Sequence, residues 1–146
     1  MKNEMELTFQ AKAENEALAR MVISAFLVRV NPTMNIISEI RTAVSEAVTN
    51  AIVHAYAEKE GGVVSMRADL DSHRLKIEIE DHGCGIADIQ QAMTPFYTSQ
   101  PEKERSGMGF SLMQSFMDGV QVRSSLGGGT LVTMTKLLGG DELDEP

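Results

Sequence analysis

The sequence predicts an α/β (α+β) domain, a two-layer sandwich in which a mixed, mostly antiparallel sheet carries helices on one face. Three observations predict it. Short segments alternate apolar and polar residues with a period of two, other stretches repeat their apolar residues every three or four positions, and tight-turn residues join the alternating segments as hairpins. A chain of 146 residues suffices for one continuous core, assigned to residues 1–138, and residues 139–146 form an acidic tail read as a solvated end.

The elements follow in order. Residues 6–11 form a first strand, and residues 14–30 a helix with Leu18, Met21, Val22, Ala25 and Phe26 at helical spacing, ended by Asn31-Pro32. A longer helix over 34–57 carries Ile37, Ile40, Val44, Ala47, Ala51 and Ala55 as its buried stripe and stops at Gly61-Gly62. A hairpin comes next. Val64, Met66, Ala68 and Leu70 share one face, and after Asp71-Ser72 so do Leu75, Ile77 and Ile79. Residues 94–107 hold two prolines and no periodicity, the pattern of a long loop that closes over a ligand. A helix over 107–117 and strands over 119–125 and 130–137, joined at Gly127-Gly128-Gly129, complete the chain.

Composition narrows the function. A net charge of −8 opposes broad nucleic-acid binding, which needs Lys and Arg against phosphates, and favours a protein or small-ligand partner. No apolar run reaches the roughly 20 residues that cross a bilayer. The amino terminus lacks a secretory apolar core and Cys84 is the single cysteine, so the chain is expected in the cytoplasm, off the membrane.

Glu46, Asn50 and His54 are four apart, and each such step advances ~40° around a helix, so they form a slowly drifting polar row beside the apolar stripe. A carboxylate there accepts a proton, an amide oxygen suits magnesium, and a histidine donates to phosphate. The plainer reading is a solvated helix edge. In Asp81-His82-Gly83-Cys84-Gly85, the alternation of Leu75, Ile77 and Ile79 turns Asp81 toward the apolar face, where a carboxylate needs a donor. An adenine amino group is one candidate and nearby backbone amides are the other. Gly83 and Gly85 remove side chains where a ligand could meet backbone. At Ser106-Gly107-Met108-Gly109-Phe110 glycines open a helix, whose unpaired amides attract phosphate, though loop flexibility alone also explains them. Arg105 precedes them as a cation for a terminal phosphate or as an ordinary surface arginine. Thr130 shares the phase of Val132 and Met134, which brings its hydroxyl near Asp81 if those two face the core.

Together Glu46-Ala47-Val48-Thr49-Asn50-Ala51, Asp81-His82-Gly83-Cys84-Gly85, Gly107-Met108-Gly109-Phe110 and Gly128-Gly129-Thr130 stand in the order of the boxes of the ATPase superfamily shared by gyrase, Hsp90, histidine kinases and MutL. The resemblance spans residues 5–137. The short Gly-Met-Gly-Phe segment most resembles the anti-sigma factor serine kinases, those of sporulating bacilli above all. It implies a Bergerat-type ATP-binding fold and an ATP-dependent protein serine/threonine kinase that sequesters a sporulation sigma factor. The kinase phosphorylates a serine of an anti-anti-sigma protein and so inactivates that antagonist. On the matching positions the resemblance implies Glu46 as general base, Asn50 as magnesium ligand, and Asp81 as acceptor of the adenine amino group with Thr130 nearby. Gly83, Gly85, Gly107 and Gly109 would admit ATP, with ADP as product, and His54 and Arg105 would sit by the phosphates. A homodimer is implied too, with Arg20 on the first helix as a partner or dimer contact. Two alternatives stay open: an ATP-gated binding protein without productive transfer, and a histidine-kinase-type catalytic domain. Against the latter, Arg105 stands where histidine kinases commonly carry a further glycine.

Overall fold

The computed structural model describes residues 2–55, 61–86 and 109–139. Within them, strands β1 (Lys2–Gln10), β2 (Val63–Asp71), β3 (Arg74–Asp81), β4 (Gly119–Ser125) and β5 (Gly129–Leu137) form one sheet in the order β1-β2-β3-β5-β4. Every pairing among them is antiparallel. The helices are α1 (Asn15–Phe26), α2 (Met34–Asn50) and α3 (Gly109–Phe116). The expected two-layer architecture holds, with its sheet wholly antiparallel among the described residues.

Alternation decides which face is dry. Val64, Met66, Ala68, Leu70, Leu75, Ile77, Ile79, Val132 and Met134 are all buried on one side, each side chain larger than alanine contributing ~1.5–3 kcal/mol where it is fully removed from water. The opposite face is polar: Arg67 reaches Glu78 and Glu80 on the adjacent strand, both at 3.1 Å. Strand β1 begins earlier than expected, because its pairing with β2 runs from Lys2↔Asp71 to Gln10↔Val63.

The helices cover the dry face. Thr33 caps α2, its hydroxyl accepting from the Ile36 amide at 3.2 Å. Thr33→Ala is expected to cost about 1 kcal/mol and to lower the thermal midpoint by roughly 2–4 °C, read by a circular-dichroism melt. Helix α2 buries Ile40, Ala43, Val44, Ala47 and Val48 and packs against both α1 and α3. Lys136, at an inward position of β5, contacts the Phe116 carbonyl of α3 and Glu39 of α2 at 3.1 Å, tying both helices to the sheet.

Three expectations are corrected. Helix α1 buries Ala19 and Ile23, followed by Leu27, while Leu18 and Met21 are 40% and 68% exposed. Of the expected stripe, Val22 and Phe26 do pack against the core, half-buried, while packing on α2 centres the covered side on Ala19, Ile23 and Leu27 in place of Leu18, Met21 and Ala25. It also ends at Phe26; a 3-10 turn over Val28–Val30 follows and Asn31 closes it in the left-handed region at φ 49°. The second helix is α-helical only to Asn50, then continues as a π-helical segment over Ala51–Ala55. The segments over 87–108 and 140–146, which include the expected loop and acidic tail, lie outside the described residues. No described helix is long and apolar enough to cross a membrane.

Candidate nucleotide site

Asp81 is the last residue of β3 and continues the inward phase of Leu75, Ile77 and Ile79, so the sheet itself carries it to the dry side. Its cross-strand partner is Thr130, the second residue of β5. They are the two buried polar residues among those described, at 6% and 8% exposure. The Gly83 amide donates to Asp81 Oδ1 at 2.9 Å, and the Thr130 backbone amide lies near the same carboxyl. Burial pushes the Asp81 carboxyl above its ordinary value, and those two amides, with His82 nearby, pull part of the way back. The reading of Asp81 as bonded to a nearby backbone amide holds at Gly83, and that bond leaves unused acceptor capacity on a carboxylate with about four lone-pair positions.

The turn after Asp81 is stapled to the β4–β5 turn. The Gly127 amide donates to the Cys84 carbonyl at 2.6 Å, and the Ile86 amide donates to Ser124 Oγ at 2.7 Å. Gly85 has φ +80°, and a first side-chain carbon there would collide with the Ser125 carbonyl. Its lack of a side chain thus admits the protein's own backbone at this point. Gly129, at φ +89°, is likewise forced: a Cβ would strike the Asp81 carbonyl. Strands β3 and β5 approach closely beside Asp81 because Gly129 lets them.

Glu46 and Asn50 are half-buried on α2, one turn apart in regular α geometry that sets their Cβ atoms roughly 5–6 Å from each other. The π segment that begins directly after Asn50 packs on β3 and β5, the strands carrying Asp81 and Thr130. That segment bonds five rather than four residues back, so the step from Asn50 to His54 is not the α-helical one the row assumed. Single π turns inside α-helices concentrate at functional sites, where they re-aim side chains. The side chain of His54 lies outside the described residues, as do Arg105, Ser106, Gly107 and Met108. Gly109 opens α3, and Phe110 is buried in the core at 8% exposure.

Among the described residues no group of three His, Cys, Asp or Glu forms a metal cage. Asn50 offers a single amide oxygen at a helix end. This fits magnesium, which keeps phosphate oxygens and waters as most of its ligands and needs little from the protein.

Arg20, away from this cluster on α1, is ion-paired with Glu16 at 2.5 Å and borders a shallow cleft with Ser38, Arg41, Thr42 and Ser45. Ser124 was missed from sequence. The available signal was a hydroxyl in the inward phase of β4, after Val120 and Val122, the same kind of mark that singled out Thr130.

Comparison with known proteins places the chain beside proteins of one family. The family model described as histidine kinase-like ATPase domain matches residues 9–136. Proteins named anti-sigma F factor are similar along nearly the whole chain. That of Thermoanaerobacter sp. (strain X514) is 49% identical over 140 residues, covering 96% of this chain and 97% of the relative. That of Clostridium acetobutylicum is 50% identical over 136 residues, covering 93% and 94%. Among solved structures, the RsbU and RsbW domains of a Mycobacterium tuberculosis protein align with a TM-score of 0.68 at 20% identity, over 93% of this chain and 32% of that one. The catalytic domain of the histidine kinase ThkA aligns at 0.55 and 12% identity, over 92% and 97%. At those identities the two structures speak for the fold alone.

Proposed function

We infer that this chain, which belongs to the histidine kinase-like ATPase domain family and within it to the anti-sigma F factors, is an anti-sigma factor that acts as an ATP-dependent protein kinase. It holds a sporulation sigma factor inactive and transfers phosphate from ATP to a serine of that factor's anti-anti-sigma antagonist. The observation that carries the nucleotide site is Asp81. A carboxylate buried at the end of β3 and opposite Thr130, with acceptor capacity left over, is matched to an amino group on a flat purine.

Each residue then has a chemical task. Asp81 accepts from the adenine amino group, with Thr130 beside it, and Gly83 and Gly85 let the turn lie against the base. The backbone amides of Ser106, Gly107, Met108 and Gly109 meet the phosphates, and Phe110 anchors the helix that Gly109 opens in the core. His54 donates to a phosphate, and Arg105 offsets the charge that spreads over the transferred group. Asn50 would hold a magnesium ion together with phosphate oxygens, which neutralises phosphate charge when bound. Glu46, one turn before Asn50, takes the proton from the substrate serine as its oxygen attacks the terminal phosphorus, and ADP leaves.

The same reading makes the chain a cytoplasmic homodimer that binds proteins rather than nucleic acid. Helix α1 supports a partner surface there, since Leu18 and Met21 are exposed on the helix that carries Arg20. Neither alternative is favoured: the relatives at 49–50% identity are named anti-sigma factors, whereas the ThkA likeness stands at 12%. The test combines the chain with labelled ATP, the anti-anti-sigma antagonist and the sigma factor. Phosphoserine on the antagonist is expected, with tighter sigma-factor binding in ATP than in ADP. Label on histidine or threonine, or equal sigma-factor affinity in both nucleotides, would refute it.

A further inference from the structure

Ser124 Oγ makes three contacts: 2.7 Å from the Ile86 amide nitrogen, 2.9 Å from the Gly129 carbonyl oxygen and 2.9 Å from Thr130 Oγ1. A hydroxyl owns one proton and two acceptor lone pairs. The Ile86 amide can only donate and the Gly129 carbonyl can only accept, so the Ser124 proton is committed to Gly129. The contact with Thr130 then forms only if the Thr130 hydroxyl donates. That uses the one proton Thr130 has, and its oxygen presents lone pairs alone to anything else in the pocket.

We propose that Ser124 is a specificity-determining residue which, by holding the Thr130 hydroxyl proton, makes Thr130 an obligate acceptor and selects purine nucleotides bearing an amino group over those bearing a carbonyl. This rests on the placement of the purine amino group at Asp81 and Thr130. Ser124 acts through Thr130 and is a positioning residue. A carbonyl oxygen at the same ring position meets lone pairs on both the carboxylate and the threonine, with no donor to relieve them. A site whose hydrogen-bonding direction is set in advance discriminates far better than one whose hydroxyl turns to suit either ligand.

The test is calorimetric titration of the full chain with ATP and with inosine triphosphate, which carries a carbonyl in place of the 6-amino group and a proton on the adjoining ring nitrogen. The wild type is expected to prefer ATP. Ser124→Ala frees the Thr130 hydroxyl to rotate and donate, and is expected to reduce the ratio of the two affinities by about tenfold. Loosening of the turn through the lost Ile86 contact weakens both nucleotides alike and leaves that ratio where it was. In a Thr130→Val background Ser124→Ala should no longer move the ratio, since no hydroxyl remains to be oriented. An unchanged ratio in Ser124→Ala, or the same change with and without the Thr130 hydroxyl, overturns the proposal. Should Ser124→Ala fail to fold by circular dichroism, Thr130→Val alone decides, and an unaltered ratio there overturns it. A wild-type preference that Asp81→Asn abolishes but Ser124→Ala leaves intact removes this inference alone. Equal wild-type affinities remove the purine placement and this inference with it.

Discussion

Glu46→Ala is expected to lower the rate of phosphate transfer to the antagonist serine by about 10²–10⁴-fold, the usual contribution of a positioned general base. ATP affinity should remain nearly unchanged. Glu46 stands half-buried on α2 one turn from Asn50, while Asp81 and Thr130, the proposed purine contacts, are on β3 and β5. Losing it removes the proton acceptor from the transition state but no contact to the base or sugar, so the loss appears in kcat rather than in nucleotide binding. Quench-flow measurement of phosphoserine formation at saturating ATP, paired with nucleotide titration, separates the two. Wild-type turnover in the variant would remove Glu46 from the chemistry, and an equal loss of binding and turnover would make it a structural residue.

Asp81→Asn is expected to weaken ATP binding about a hundredfold, since a hydrogen bond to a charged group is worth ~1.5–3 kcal/mol. The replacement also turns an amide nitrogen toward the adenine amino group or toward the Gly83 and Thr130 amides, and either contact sets donor against donor. The wild type should show a pH dependence that the variant lacks. Burial holds the Asp81 carboxyl above the ordinary range, so the folded protein takes up this proton at a pH where the unfolded chain does not. Ionisation of Asp81 accordingly costs stability above its raised value, a cost that disappears as pH falls through that value toward the ordinary carboxylate range. Nucleotide binding runs the other way, because the amino group needs the ionised acceptor. ATP affinity should fall with decreasing pH at a higher pH than a solvent-exposed carboxylate would produce. Titrations across mildly acidic pH that show the same slope for both proteins would count against Asp81 as the adenine acceptor.

Much of this site is legible in the sequence because it depends on periods. The alternation through Leu75, Ile77 and Ile79 sends Asp81 inward, and that through Val132 and Met134 sends Thr130 inward, so their meeting as cross-strand partners follows once the two strands pair. The stripe Ile40, Val44, Ala47 marks the buried side of α2 for the same reason, since its other faces are polar. Helix α1 gave no such contrast: with apolar residues at Leu18, Met21, Ile23 and Leu27, the choice of Ala19, Ile23 and Leu27 as the buried set belongs to α2. The π segment after Asn50 has no local signature either, because a π turn and an α turn bury nearly the same residues and differ in what the neighbouring strands allow. Gly85 was legible as a glycine that something must approach, while its neighbour, the Ser125 carbonyl, lies 40 positions along the chain.

The sequence by itself determined the order of elements, the dry face of the sheet, the inward turn of Asp81 and Thr130, and the row that joins Glu46 to Asn50. These follow from repeats only a few residues long, where one face of a strand or helix must leave water. The tertiary structure alone decided which stripe of α1 is covered, where α2 gives way to a π turn, and that Ser124 holds both the Asp81 turn and the Thr130 hydroxyl. Those depend on atoms brought together from distant parts of the chain, and the direction of a single hydroxyl proton is set only once its three neighbours are in place.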